Sequence, residues 1–405
     1  MKHVWILNHY AQSPDGPGGT RHFSLARHLA EHGWSSDIFA ASVEHNTGRQ
    51  RIMGNDLTNV EMIDGVRFTW VKTPSYVGNG ITRQLNMVAY TFNVLKRSVT
   101  SDCTKPNAVI GSSVHPLAAW AGQRLARRHK VPFIFEIRDL WPQTLIDMGR
   151  IADNGILARL LRKLEKWLCD RAAIVVVLLP KAHEYLEAQG VARNKVIHIP
   201  NGVELSDYPA PNPPDRTRPF TLMYFGAHGG ANGLDNLLSA MSLLRDQPIL
   251  LRLVGDGPMK AELVKRAEKV GLDKVIFEDP VPKNEIRNVA AEANAFVFNL
   301  IDSPVFKFGI SSNKLFDFMA ARRPVLFACN TTNNIIEDSG GGLTVPPDDP
   351  KALAGAVMKL ANAIDATLDE MGDAGRSYVE NSHSYELLAK RLATSLEAIT
   401  TQELA

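Results

Sequence analysis

The residues best suited to chemistry stand in one segment, Phe308–Ala321, which reads FGISSNKLFDFMAA. Ser312 and Asn313 are typical of a helix N-cap, so a helix is predicted to begin there. A cation in the first turn, Lys314, is unfavourable beside the positive end of the helix dipole unless an anion lies between them. The pattern therefore indicates a phosphate site, with Asp317 close enough to accept hydrogen bonds from two sugar hydroxyls. A capped helix with a charged first turn is the alternative.

Two glycine-rich turns each follow a predicted strand and open a predicted helix. The first contains Gly18 and Gly19, and the second runs from Gly226 through His228 to Gly233. Backbone amides and the helix dipole at such a turn favour an anion, and glycine lets the backbone approach a ligand. The first turn is not a full G-x-G-x-x-G fingerprint, and one such turn alone is a weak indication. Two of them in one chain favour an anion-binding function more strongly.

Three polar residues follow predicted strands in the first half of the chain. His115 comes after the strand AVIGSS, and its imidazole can accept a hydrogen bond from a sugar hydroxyl or donate one. Arg138 and Asp139 end the next strand, on the carboxyl edge where open α/β sheets bind their ligands. We expect these residues to hold a second substrate. A structural histidine and a local ion pair are the alternatives.

The elements that must position these residues are strands alternating with helices. Strand-length apolar runs, seven in the first half and five in the second, alternate with amphipathic stretches of helix length, which predicts an α/β fold with parallel sheets. The pattern stops between residues 198 and 220, where five prolines within residues 209–219 indicate a linker. The predicted organisation is an N-terminal Rossmann-like domain over residues 1–203, a linker over 204–219, a C-terminal Rossmann-like domain over 220–383 and a closing helix over 384–405.

Charge is distributed unevenly along the 405 residues, although the net charge is only +2. Residues 1–200 hold 25 Lys and Arg against 16 Asp and Glu, and the remainder holds 20 against 27, so the two parts carry +9 and −7. A basic first half indicates an anionic partner, either phosphate or a membrane surface; solvated charge without function is the alternative. No interleaved aromatic residues support a nucleic-acid partner.

No apolar run approaches the roughly 18 residues of a membrane-spanning helix. The run Val4–Leu7 is too short for the core of a signal peptide, so the sequence predicts a cytoplasmic protein. One predicted helix carries an apolar stripe with basic residues elsewhere on its surface, and it is expected either to contact anionic lipid at the inner membrane face or to pack in the core. The stripe comprises Leu157, Leu160, Leu161, Leu164 and Leu168.

These motifs occur together and in order with EIRDLWP at 136–142, IPNGV at 199–203, GDGP at 255–258 and GGGLTVPPDDP at 340–350. In this combination the chain resembles the family-four glycosyltransferases of the GT-B fold over nearly all of its length. Among them it is most similar to bacterial surface-polysaccharide transferases, including those that add N-acetyl-fucosamine. The resemblance implies two facing Rossmann-like domains with parallel sheets, and a C-terminal helix that crosses back to the first domain.

The same resemblance implies a reaction. It is a transfer, with retention, of a sugar from a nucleotide-diphosphate donor, UDP-linked, without a metal or other cofactor. The implied acceptor is a glycan or a polyprenyl-diphosphate-linked lipid, in lipopolysaccharide or other surface-polysaccharide biosynthesis. A nucleotide-sugar epimerase or hydrolase of the same fold and a non-catalytic sugar-binding protein are the alternatives.

Residue roles also follow from the resemblance. The two-acid motif of the family falls on Gly309 and Asp317, so Asp317 is expected to bind ribose hydroxyls, whereas Gly309 lacks the carboxylate that grips the donor sugar. Lys314 is the main expected cation for the diphosphate, because Ala227 and Asn232 stand where many relatives have basic residues.

The remaining implied roles concern the nucleobase, the reacting sugar and the rest of the donor site. Val281 matches a backbone contact to the nucleobase, and His115 matches a histidine that points at the reacting sugar, so His115, Lys314 and Asp317 are the expected catalytic residues. The other expected donor contacts are Gly18, Gly19, Gly226, His228, Lys307, Gly309, Ile310, Ser311, Ser312 and Asn313.

Overall fold

The structure is a computed structural model that describes residues 1–16, 18–45, 47–76, 78, 80–113, 115–208, 219–282 and 285–402. The chain divides into two compact units. Unit 1 comprises Met1–Asn201, Phe308–Ser311 and Tyr385–Ala405, and unit 2 comprises Gly202–Lys307 and Ser312–Ser384. Residues 209–218, which make up most of the predicted linker, and residues 403–405 lie outside the described residues.

Unit 1 is built on an eight-stranded sheet of order β3-β4-β2-β1-β5-β6-β7-β8. All neighbouring strands are parallel except β3, which pairs antiparallel with β4. The strands are β1 (Lys2–Leu7), β2 (Trp34–Ala41), β3 (Thr58–Ile63), β4 (Val66–Val71), β5 (Ala108–Ser113), β6 (Phe133–Ile137), β7 (Ile174–Val177) and β8 (Val196–His198).

Helices cover both faces of this sheet and bury its apolar side chains in two clusters. The helices of unit 1 are α1 (Arg21–Leu29), α2 (Ile81–Val94), α3 (Arg97–Thr100), α4 (Pro116–His129), α5 (Gln143–Asp147), α6 (Ile156–Arg171), α7 (Ala182–Ala188) and the C-terminal helix (Tyr385–Gln402). The C-terminal helix packs beside α1, with Leu388, Leu392 and Leu396 buried against the strands. Helices α2, α4 and α6 lie on the other face.

Unit 2 contains a six-stranded, all-parallel sheet of order β11-β10-β9-β12-β13-β14. Its strands are β9 (Phe220–Phe225), β10 (Ile249–Val254), β11 (Val275–Glu278), β12 (Ala295–Asn299), β13 (Val325–Ala328) and β14 (Gly342–Val345). Its helices are α8 (Leu234–Leu243), α9 (Lys260–Lys269), α10 (Ile286–Ala291), α11 (Asn313–Ala320), α12 (Ile335–Ser339), α13 (Pro350–Ala361) and α14 (Asp365–Ser382); the C-terminal helix of unit 1 is α15.

The predicted α/β fold with two parallel-sheet domains is confirmed, and each of the twelve predicted strands forms. Two further strands, β3 and β14, were not predicted because both are half-exposed and lack a continuous apolar run. The turn between β3 and β4 did offer a clue. Asp64 and Gly65 both have positive φ, as the Asp-Gly hairpin turn requires.

Strand order reverses once in each sheet, between β1 and β5 in unit 1 and between β9 and β12 in unit 2. Open α/β sheets bind ligands in the crevice that forms at such a point, outside the carboxyl ends of the strands. The residues that follow β1 and β5 in unit 1, and those that follow β9 and β12 in unit 2, are therefore the expected ligand-binding residues.

Candidate functional site

Lys314 lies at the reversal point of the unit 2 sheet. Helix α11 begins where the sequence predicts, with Ser312 as its N-cap residue, and Lys314 occupies the first turn. The lysine Nζ donates hydrogen bonds to Tyr224 Oη at 3.0 Å and to Asn232 Oδ1. It also lies 4.7 Å from the ring centroid of Tyr224 and 5.3 Å from that of Phe298, which lie one residue before the ends of β9 and β12.

The oxygens that hold this lysine are neutral. The carbonyl of Ala227 accepts from both Tyr224 Oη (2.7 Å) and Asn232 Nδ2 (2.8 Å), so the two partners are themselves held in place. An ammonium group has three donors, and within the described residues Lys314 uses two and forms no ion pair with a carboxylate. Burial lowers the pKa of Lys314 to about 7. The site is a desolvated cation with one donor left for a ligand.

Glycines bring the loop after β9 against the loop after β10. A Cβ on Gly255 would lie 2.0 Å from the carbonyl oxygen of Gly226, so only glycine fits at this contact. The backbone N–H of His228 donates to Asp256 O at 2.8 Å, and the N–H of Met259 donates to His228 O at 3.0 Å. The GDGP turn therefore holds the glycine-rich loop beside Lys314.

His228 is fully buried in this loop, and neither ring nitrogen has a hydrogen-bond partner among the described residues. Its ring lies 6.1 Å from that of Tyr224. Burial and the charges of Lys260 and Lys314 lower the pKa of His228 to about 4. The ring is therefore a neutral, buried imidazole whose two nitrogens no described residue satisfies.

Asp317 has a different environment from Lys314, although both are on α11. Its carboxylate is buried and accepts a hydrogen bond from Tyr208 Oη at 2.9 Å. Burial and the charge of Asp317 raise the pKa of Tyr208 well above its usual value. Tyr208 belongs to the segment that the sequence predicts to be linker, and this buried partner for the predicted ribose-binding residue was not anticipated.

The predicted donor segment is split between the two units. The predicted C-terminal domain runs without interruption over 220–383, whereas the structure assigns Phe308–Ser311 to unit 1. The reason is a set of hydrogen bonds: Lys181 N–H donates to Phe308 O at 3.1 Å, and Asn201 donates to Ser311 through its N–H (2.8 Å) and its side-chain amide (2.6 Å). Gly309, Ile310 and Ser311 thus belong to unit 1, while Ser312–Asp317 belong to unit 2.

Gly309 occupies the position where the family motif has an acid. Its φ of +100° is a conformation that residues with side chains rarely adopt. The backbone at this position therefore favours glycine over a residue with a side chain.

His115 lies at the reversal point of the unit 1 sheet, as N-cap residue of α4. It is buried, and neither ring nitrogen has a partner among the described residues. His9, which follows β1, packs against it with ring centroids 4.8 Å apart, and Tyr10 lies 6.2 Å away. Burial and the charge of Arg83 lower the pKa of His115 to about 3. The sequence prediction missed His9 and Tyr10, although their position directly after the first strand pointed to the same edge.

A buried ion network lies behind the first glycine-rich turn. Gly18 and Gly19 are exposed and precede α1, whose first two residues are Arg21 and His22. Glu136 at the end of β6 accepts from Arg21 Nε at 2.9 Å, from His22 Nε2 at 2.6 Å and from the hydroxyl of Ser112 at 2.6 Å. The charge of Arg21 and the hydrogen bonds from His22 and Ser112 hold the pKa of Glu136 well below its usual value despite burial. Arg21, the cation at this turn, is thus already paired.

The other predicted site residues are less constrained. Arg138 is half-buried, with no partner for its Nε, and within the described residues it forms no ion pair with the exposed Asp139. Val281 is half-buried in the loop after β11, and Lys307 is exposed at the end of a 3₁₀ turn.

In the described part of the chain, no cluster of three or more His, Cys, Asp or Glu side chains is arranged to hold a metal ion. Of the helices described, none has the length and apolar character needed to cross a membrane.

Comparison with known families agrees with this architecture. Residues 18–202 match the glycosyl transferase 4-like domain, and residues 219–363 match the glycosyl transferases group 1 domain. The chain belongs to the GT-B glycosyltransferases.

Two curated proteins are similar in sequence. The probable glycosyltransferase WbjE of Pseudomonas aeruginosa is 23% identical over 281 residues, which span 67% of this chain and 69% of that protein. WcaI of Escherichia coli, named for colanic acid biosynthesis, is 23% identical over 231 residues, 53% of this chain and 56% of its own length.

Solved structures share the fold. Sucrose-phosphate synthase of Thermosynechococcus elongatus superposes with a TM-score of 0.77 at 19% identity, over 99% of this chain and 100% of that one. HepE of Anabaena, in complex with UDP and glucose, superposes with a TM-score of 0.69 at 12% identity, over 98% and 99% of the two chains. At these identities the likeness shows the fold alone.

Proposed function

We propose that this glycosyltransferase transfers a sugar, with retention, from a UDP-sugar to a glycan or polyprenyl-diphosphate-linked acceptor in surface-polysaccharide biosynthesis. The observation that carries the proposal is Lys314, a desolvated cation held by neutral oxygens beside a glycine-rich loop. A cation without a carboxylate partner, at the start of a helix, suits a diphosphate.

The leaving group explains why this arrangement serves catalysis. As the glycosidic bond breaks, negative charge accumulates on the diphosphate, so a preorganised cation stabilises the transition state more than the bound donor. Lys314 is preorganised because Tyr224 and Asn232 fix its Nζ. We propose that the buried imidazole of His228 hydrogen-bonds the same diphosphate, and that no metal ion is needed to neutralise it.

In unit 1, His115 is proposed to bind a hydroxyl of the reacting sugars. Its low pKa keeps the ring neutral near pH 7, so one nitrogen can donate while the other accepts. Arg138 and Asp139 are proposed to bind the acceptor. Asp317 is proposed to bind the ribose hydroxyls through its carboxylate, which also accepts a hydrogen bond from Tyr208.

The comparisons support the choice of donor and acceptor. HepE is a neighbour in fold and is described with UDP and glucose, and WcaI is named for the biosynthesis of a surface polysaccharide. The basic character of residues 1–200 suits an acceptor that bears phosphate.

The test is transfer from a panel of UDP- and GDP-sugars to a soluble polyprenyl-diphosphate analogue, with the anomeric configuration of the product read by NMR. We expect turnover with a UDP-sugar and an unchanged anomeric configuration. Turnover with GDP-sugars alone, or inversion, would contradict the proposal. Sugar release without acceptor, at the rate seen with acceptor, would identify a hydrolase.

A further inference from the structure

Helix α2 of unit 1 exposes a row of large apolar side chains. Ile81, Leu85, Val88 and Phe92 are 75%, 56%, 39% and 60% exposed. Their spacing of four, three and four residues places them on one face of the helix. The opposite face already fills the core through Tyr90 and Val94, which are fully buried. Helix α2 is therefore apolar on both sides, whereas a helix that covers a sheet normally turns a polar face outward.

The charge around this row is of one sign. Residues 65–101 contain no Asp or Glu, and residues 65–135 hold ten Lys and Arg against the single acid Asp102. Lys96 continues the row one turn beyond Phe92, and both Lys96 and Arg97 are exposed. An apolar row that ends in exposed cations is the pattern of a helix lying in the interface of an anionic bilayer.

A second apolar group lies in the same helix layer. Ile156, Leu157 and Leu160 are exposed in the first two turns of α6, with Arg159 and Lys163 exposed beside them. Helices α2 and α6 both pack against α4.

These helices share one end of the unit 1 sheet. Each of α2, α4 and α6 connects parallel strands and so begins at the carboxyl edge. The α6 group and the start of the α2 row therefore lie towards the edge that carries His115, the N-cap residue of α4.

Two tryptophans of this helix layer, Trp120 and Trp167, also favour a lipid bilayer as the partner. Trp120 on α4 and Trp167 on α6 are half-buried, and the Arg124 guanidinium lies 5.0 Å and 5.8 Å from their ring centroids. Tryptophan and arginine at a surface are typical of membrane–water interfaces. A second copy of the chain is a poorer occupant of this face, because pairing two such faces would bring like charges together.

We infer that the exposed face of α2, with the first two turns of α6, contacts an anionic lipid bilayer. The inference rests on the proposed function in one respect, that a lipid-linked acceptor would be presented to the edge of the sheet that carries His115. The apolar row on α2 does not depend on the proposed function, because it is defined by the exposure of its side chains and by the basic residues around it.

The test is cosedimentation of the full chain with vesicles of phosphatidylcholine mixed with phosphatidylglycerol, and with vesicles of phosphatidylcholine alone. The native protein should bind the mixed vesicles, with binding that weakens as salt rises. The double variant Leu85→Ser, Phe92→Ser should bind at least about tenfold more weakly, since each substitution removes apolar area from the lipid contact. The matched control is Leu243→Ser, Ile364→Ser, which changes two equally exposed apolar residues of unit 2 and should bind like the native protein.

Vesicle binding of the double variant equal to the native value would overturn the inference. Native protein that does not bind either kind of vesicle would also overturn the inference. Light scattering that shows a native dimer and a monomeric double variant would overturn it as well, since a second copy of the chain would then cover the face. Both variants should unfold at the native temperature because the changed side chains are exposed. Transfer to the soluble acceptor analogue separates the two proposals: its absence in the native protein contradicts the proposed function and leaves the vesicle result intact.

Discussion

Arg21 in unit 1 and Lys314 in unit 2 are both cations in the first turn of a helix at a sheet edge, yet their surroundings differ. Arg21 donates to the carboxylate of Glu136 at 2.9 Å and to the carbonyls of Ile199 (2.9 Å) and Pro200. Among the residues that the structure describes, Lys314 donates only to neutral oxygens of Tyr224 and Asn232. The first cation is paired with a carboxylate, and the second has no carboxylate partner in that part of the chain.

This difference separates a structural charge from one directed at a ligand. A buried charge costs several kcal/mol unless a partner compensates it, so it is retained without a partner only where another requirement favours it. The two glycine-rich turns look alike in sequence, but only the second lies beside an uncompensated cation. We therefore expect substitution at the Arg21–Glu136 pair to lower stability, and substitution at Lys314 to lower the turnover number.

The largest effect is expected at Glu136. The substitution Glu136→Gln leaves the guanidinium of Arg21 buried without its counter-charge, and the free energy of unfolding of unit 1 should fall by about 3–5 kcal/mol. Urea denaturation measures this change. The control Asp153→Asn removes an exposed partner of Arg162 and should cost less than about 1 kcal/mol. A loss at Glu136 no larger than that of the control would show that Arg21 does not depend on its carboxylate.

The next effect is expected at Lys314, in turnover rather than stability. The substitution Lys314→Met should lower kcat by about 100- to 1,000-fold, as does loss of one group that stabilises developing charge. The unliganded variant should be at least as stable as the native protein, because a half-buried, desolvated cation has been replaced by an apolar side chain of similar length. Lys269→Met, at an exposed site on α9, should change neither quantity. A destabilised Lys314→Met variant with native kcat would contradict the comparison.

A smaller effect is expected at Asp317. The substitution Asp317→Asn weakens hydrogen bonds to ribose hydroxyls that do not change during the reaction, so KM for the donor should rise about tenfold with kcat nearly unchanged. Tyr208→Phe removes the internal hydrogen bond to Asp317 and should cost about 1 kcal/mol of stability without changing KM. Equal KM values for both variants and the native protein would leave Asp317 with a purely internal role.

Much of the architecture was predictable because it depends on local patterns. Alternating apolar runs predict the strands, and Ser312 and Asn313 are sufficient to place the start of α11. The partners of the site residues were not predictable, because they are set by packing between distant segments. Tyr208 is 109 residues from Asp317, and Asn232 is 82 residues from Lys314.

Asn232 illustrates the limit of reasoning from residue type. From the sequence alone, Asn232 is a neutral residue at a position where many relatives have a basic one. In the structure its side-chain oxygen accepts from Lys314 and its amide donates to Ala227 O, so it orients the cation that remains. A substitution that looks like a loss of charge therefore contributes to positioning, and only the three-dimensional contacts show this.

Calorimetry of UDP binding tests most directly whether the charge of Lys314 is directed at the donor diphosphate. The titrations are made near pH 8.5 in buffers of different ionisation enthalpy, which counts the protons taken up on binding. The pKa of Lys314 is about 7 in the unliganded protein, so at this pH the lysine is mostly neutral and must gain a proton to pair with the diphosphate. We expect uptake of about one proton per UDP, an affinity that falls as pH rises from 7.5 to 9, and neither effect in Lys314→Met. Tight binding by both proteins, with no proton uptake and no dependence on pH, would contradict it.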